Sequence, residues 1–85
     1  MGPLEASIRR HLDDYLANRI DYDSFTDWMY GVIWNIDQRG EPGASHLGYA
    51  IMLEIAELSN GDATREEFRR GLMDLAEQAP VRSSA

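Results

Sequence analysis

The sequence predicts an all-α fold, a four-helix and mostly antiparallel bundle built from two αα-hairpins. Three observations predict it. Apolar residues recur at spacings of three and four, the helical period, and not at the spacing of two that marks strands. Two of the helix starts share one construction, described below. Between them lies "QRGEPGAS", whose glycines and proline interrupt any helix and join one hairpin to the next.

The first helix is expected over residues 3–17. Pro3 suits its first position, where the missing N–H is one of the orphan donors anyway. Leu4, Ile8, His11, Leu12 and Tyr15 line one face of it. The second helix is expected over 22–38, stopping before Gly40. The third is expected over 44–59, closing at Asn60-Gly61, since both residue types accept the left-handed conformation that ends helices. The fourth is expected over 65–78, ending before Pro80. Residues 1–79 then form one helical domain, and 80–85, "PVRSSA", read as a flexible C-terminal tail.

The shared construction lies in "NRIDYDSF" and "NGDATREEF". In the first, Asp21 is the N-cap, with Ile20 before it and Phe25 after it as a hydrophobic staple. In the second, Thr64 caps, Glu67 completes a capping box, and Ala63 and Phe68 take the staple positions. Each turns a helix back on its predecessor through a short loop.

Composition excludes several functions. The chain has 85 residues, no cysteine, 44% hydrophobic and 27% charged residues, and a net charge of −7. Without cysteine there are no disulfides, thiolate metal sites or cysteine nucleophiles. A secreted domain this small usually needs disulfides, so the expected location is the cytoplasm. No apolar run approaches the ~20 residues of a membrane span, and no basic-then-apolar leader is visible. The acidic surface repels phosphate backbones, so no direct nucleic-acid contact is expected and a basic protein partner is favoured.

Candidate chemistry fails on inspection. Asn60, Gly61 and Glu67 mimic the back half of a calcium loop, but Ala56 and Leu58 stand where the first oxygen ligands belong. His11 and His46 are far apart and have no metal-ligand spacing. His11 falls on an apolar helix face, where it is a core or boundary residue. His46 and Glu54 share a face without a nucleophile or metal. Glu54 and Glu57 repel unless Arg65, Arg69 or Arg70 supplies an inter-helix ion pair. The expectation is a non-catalytic protein with no cofactor and no metal.

A helical wheel divides the aromatic second helix. Tyr22, Phe25, Met29, Val32, Ile33 and Ile36 fall within an arc of about 100°, the core stripe, with Trp28 at its edge. Asp23, Asp27, Tyr30, Trp34 and Asp37 form a ribbon beside it. Aromatics ringed by carboxylates are what a hot spot for a basic partner looks like. A bundle helix with two neighbours also widens its buried arc, so the ribbon is either core edge or partner face. In the third helix Leu47, Ile51, Ile55 and Leu58 make one apolar face, and Tyr49, Met52, Leu53 and Ala56 make a second. Such a helix is central in the fold or docked on a second copy of the chain.

The pattern "YLANRIDYDSFTDWM … LSNGDATREEFRRGLMDL", with Ile20, Phe25, Thr64, Glu67 and Phe68, resembles small bacterial immunity proteins of the colicin D type. Uncharacterised small bacterial helical proteins have a similar pattern. The resemblance covers about two-thirds of the chain and rests on helix-start chemistry. It implies a single helical bundle that occludes the basic active site of a nuclease toxin. No contact residue carries over. The expected function is a protein-binding module, in its most concrete form an immunity or inhibitor-like protein. The alternative is a homodimeric structural or adaptor protein using the third helix.

Overall fold

The computed structural model describes residues 2–78. They form an all-α four-helix bundle: α1 (Pro3–Leu16), α2 (Tyr22–Ile33), α3 (Pro42–Ser59) and α4 (Arg65–Glu77), with a 3-10 turn at Ile36–Arg39 before α3. The expected tail, 80–85, lies outside the described residues. No helix among the described residues is long and apolar enough to cross a membrane.

The two hairpins are built alike at both ends of their loops. Asp21 Oδ1 accepts the Ser24 N–H at 2.8 Å and starts α2. Thr64 Oγ1 accepts the Glu67 N–H at 3.1 Å, and Glu67 Oε1 accepts the Thr64 N–H at 2.9 Å, a complete capping box. The preceding helices also end alike. Asn18 N–H reaches Tyr15 O and Arg19 N–H reaches Asp14 O; Gly61 N–H reaches Leu58 O and Asp62 N–H reaches Glu57 O. Both are Schellman closures, with Asn18 (φ 62°) and Gly61 (φ 80°) in the left-handed position. The sequence pointed to Asn60 as well, but Asn60 stays right-handed at φ −85° and glycine takes the turn.

α1 and α3 begin differently. Each has proline in its first turn and no side-chain cap of its own. Glu41 crosses to α1 instead, where its carboxylate accepts the N–H of Leu4 at 3.0 Å and of Glu5 at 3.2 Å. An acid at a helix N-terminus satisfies orphan donors and opposes the positive end of the dipole. Its backbone meanwhile starts α3, two residues earlier than the sequence suggests, through Ser45 N–H to Glu41 O. One residue thus pins the inter-hairpin link to α1. Beneath it Glu5 is buried and paired with Arg9 Nε at 3.1 Å.

The core joins all four helices. Leu4, Ile8, Leu12 and Tyr15 of α1 meet Phe25 and Met29 of α2, Leu47, Ile51 and Ile55 of α3, and Phe68 and Leu72 of α4. α3 packs against α1, α2, α4 and the 3-10 turn, so its wide apolar arc reflects a central position in the fold. Tyr22, Val32 and Ile33, expected in the core stripe, are half-buried at its margin.

The second helix is not continuous to 38. It ends at Ile33, and Asn35 (φ −133°, ψ 29°) breaks it before the 3-10 turn. Gly31, the β-branched pair Val32-Ile33 and Asn35 all weaken helix at this end. The break lets Ile36 bury fully against Gly48 of α3, where a Cβ would collide with the Ile36 side chain. Helical spacing put Ile36 in the core correctly, but a different backbone puts it there.

Candidate functional site

The ribbon on α2 survives as far as Trp34. Asp23, Asp27, Tyr30 and Trp34 recur at spacings of four, three and four, which stacks them along one side of a helix. Trp34 is the C-cap and keeps helical angles (φ −50°, ψ −42°), so it stays in phase with Tyr30. Tyr30 is 51% exposed and Trp34 is 87% exposed. Asp23 and Asp27 are exposed beside them. The wider buried arc does not form, since both Tyr30 and Trp34 remain exposed.

Asp37 does not belong to this ribbon. The helix break carries it onto the 3-10 turn, where its Oδ2 accepts the Tyr49 hydroxyl of α3 at 2.8 Å. That hydrogen bond first, then partial desolvation and the Asp37 charge, hold the Tyr49 hydroxyl above its ordinary pKa of 10.0. The contact joins the 3-10 turn to the exposed side of α3. From Tyr49 the exposed side of α3 continues one turn to Leu53, which is 61% exposed, and on to Ala56. Met52 leaves this group, since it is half-buried against the core. The second apolar face of α3 is therefore narrower than expected.

The opposite end of α2 treats its aromatics in another way. Tyr15, Tyr22, Phe25 and Phe68 form one cluster, with Tyr15 stacked on Phe25 at 5.0 Å and Tyr22 edge-on to Phe68 at 5.8 Å. Arg65 lies over Tyr22 and Arg69 over Tyr15, each with its Cζ 5.3 Å from the ring centroid. Arg69 also donates to the Leu16 carbonyl at the end of α1, at 2.8 Å. No arginine lies over Tyr30 or Trp34 among the described residues. Sequence reasoning missed the arginine placement; the only local sign was the repeat of arginine at 65 and 69, one turn apart.

Those placements correct the expected ion pair at Glu54. Arg65 and Arg69 go to the aromatic rings, and Arg70 pairs within α4 with Glu66 at 3.4 Å. Glu54 lies against Gly71 and forms no ion pair among the described residues. Burial first, then the charges of Glu57 and Asp74, push its pKa up.

The two histidines have different surroundings. His11 stacks flat on Trp28, centroids 3.5 Å apart, and its Nδ1 lies 2.8 Å from the Ser7 carbonyl. A carbonyl only accepts, so Nδ1 bears the proton. His46 is exposed. Among the described residues no three His, Asp or Glu side chains are grouped to hold a metal ion. The fold and surface thus define a class, a small all-α bundle with an exposed acidic-aromatic ribbon. No protein family, no curated protein and no solved structure matches the chain.

Proposed function

We propose that this chain is a non-catalytic protein-binding module that offers Asp23, Asp27, Tyr30 and Trp34, flanked by Asp37 and Tyr49, to a basic partner. The observation that carries this is Trp34, 87% exposed on a bundle that buries Phe25 and Phe68 completely. A tryptophan left in water beside a tyrosine and several carboxylates is suited to a cationic, partly apolar surface. The aromatic rings would take arginine or lysine by cation–π contact, and the acids would speed encounter. The most concrete form is an immunity or inhibitor-like protein that blocks a basic enzyme, in keeping with small size and a net charge of −7.

The test begins with recovery of binding proteins from the source organism on immobilised chain. Purified binder is then titrated against wild type, Trp34→Ala and Asp27→Lys. The expected binder is basic, loses affinity as salt rises, and binds either variant more than about tenfold weaker. If it is an enzyme, its activity falls on binding. No binder, an acidic one, or one indifferent to both substitutions overturns the proposal.

A second reading rests on Leu53. A homodimer through Tyr49, Leu53 and Ala56 would cover it, with Met52 behind. Light scattering would then give about twice the 9.6 kDa chain mass, and Leu53→Glu would return it to that mass. A monomer at high concentration removes this reading.

A further inference from the structure

At the end of the molecule away from Trp34, the turn between α1 and α2 and the first turns of α4 enclose an open depression of about 570 Å³. That falls within the size range of small-molecule sites. Tyr15, Ile20 and Tyr22 form its apolar wall, and Arg19, Arg65 and Arg69 line it. Three of the chain's eight cationic side chains therefore meet at one place on an acidic protein.

These cations are not neutralised in proportion. Arg19 pairs with Asp14 at 3.0 Å. Arg65 and Arg69 form no ion pair among the described residues, whereas Arg9, Arg19 and Arg70 do. Asp21 also lines the depression, but one of its oxygens is committed to the Ser24 N–H at the start of α2. Arg65 lies over the Tyr22 ring and Arg69 over the Tyr15 ring, and guanidinium N–H groups that the fold does not use can grip an oxyanion two oxygens at a time. Arg69 spends one nitrogen on Leu16 O, and Arg65 makes no hydrogen bond among the described residues. Arg65 also stands at the first position of α4, where the helix dipole adds positive potential.

We propose that this depression binds a small ligand carrying an oxyanion, phosphate ester or carboxylate, on an apolar or aromatic body. Arg65 and Arg69 hold the oxyanion, and Ile20 with the edges of Tyr15 and Tyr22 takes the body. Tyr22 and Trp34 lie about 18 Å apart along α2 at 1.5 Å per residue, so this site is independent of the partner surface.

The experiment is a titration of ¹⁵N-labelled chain, followed by NMR, with phenyl phosphate, benzoate and benzyl alcohol. The expected result is saturable shifts in the backbone amides of residues 18–22 and the Nε–H of Arg65 and Arg69 with at least one anion. The tighter anion identifies the group the site prefers. Benzyl alcohol, of the same size without the charge, should bind at least about tenfold weaker. Arg65→Gln should weaken the anion at least about tenfold and lower the melting temperature by no more than a few degrees, because the Arg65 side chain makes no ion pair or hydrogen bond among the described residues and only its contact with the Tyr22 ring is lost. Arg65→Lys should fall between the two, since it keeps the charge and loses the fork. Non-saturating shifts with both anions, equal affinity for benzyl alcohol, or an Arg65→Gln variant that binds as wild type overturns the proposal.

Discussion

The two ends of α2 hold the same kinds of side chain in opposite surroundings. At its N-terminal end Tyr22 and Phe25 join Tyr15 and Phe68, and arginines from α4 lie over the two tyrosines. At its C-terminal end Tyr30 and Trp34 stand in solvent with Asp23 and Asp27 along the same side. One end has its rings packed and its cations supplied by the chain itself. The other has its rings in solvent, with no arginine over them among the described residues. The difference teaches that aromatic content alone says nothing of function; what matters is whether the fold completes the environment or leaves it open. The packed end should govern stability and the open end should not.

The largest test is Phe68→Ala. Phe68 is fully buried and touches the rings of Tyr15 and Tyr22. Truncating a buried phenylalanine costs about 3–5 kcal/mol, a large share of what a domain of this size holds. Urea denaturation should show the variant mostly unfolded or its midpoint sharply lowered. A loss below about 1 kcal/mol would mean that the aromatic cluster is loosely packed and the contrast between the ends is false.

Thr64→Ala comes next, at about 1 kcal/mol, because it removes the cap that starts α4 and sets Arg65 and Arg69 over their rings. A double mutant with Arg69→Ala should lose less than the sum of the two single changes if the cap acts through that placement.

Why the cap was legible in the sequence, and the arginines were not, is a matter of range. Asp21 and Thr64 satisfy donors within three residues of themselves, so local spacing reveals them. The core stripe of α2 was legible for the same reason. The full burial of Ile36 after the break at Asn35 depends on Gly48 of another helix. Glu41 caps α1 by accepting from Leu4, 37 residues earlier in the chain. The site divides along the same line. The spacing of Asp23, Asp27, Tyr30 and Trp34 was visible, but their exposure depends on which sides of α2 the other helices cover. Asp37 was assigned to the wrong element, and its bond to Tyr49 could not be seen from either residue.

A smaller effect is expected at Glu54, on the side of the bundle from which the arginines were drawn away. Its pKa is raised, chiefly by burial and then by Glu57 and Asp74. The folded state therefore holds this proton more tightly than the unfolded chain does. That contribution is complete below the unfolded value, near 4.5, and is lost as pH rises through the folded value. At neutral pH the ionised carboxylate is a cost. Glu54→Gln should stabilise the chain at pH 7 by less than about 1 kcal/mol, with the gain shrinking as the pH falls through the folded value and gone below about 4.5. A destabilised variant at pH 7 would mean that Glu54 has found a cation.

The smallest effect on stability belongs to Trp34→Ala, and there its size is the information. A side chain 87% exposed contributes little packing, so the unfolding midpoint should move by no more than about 0.5 kcal/mol equivalent. Fluorescence supplies a second readout, because the chain has two tryptophans. Trp28 is half-buried and stacked on His11, so it is shielded from a soluble quencher. Trp34 is open to one. The substitution should remove most of the quencher-accessible emission and leave the shielded part. If stability instead drops by more than about 1 kcal/mol, Trp34 packs in solution, by itself or against a second copy. Repeating the measurement across a range of protein concentrations separates those cases, since only a dimer makes the loss depend on concentration. A small, concentration-independent change leaves Trp34 as a large apolar side chain that the fold itself does not use.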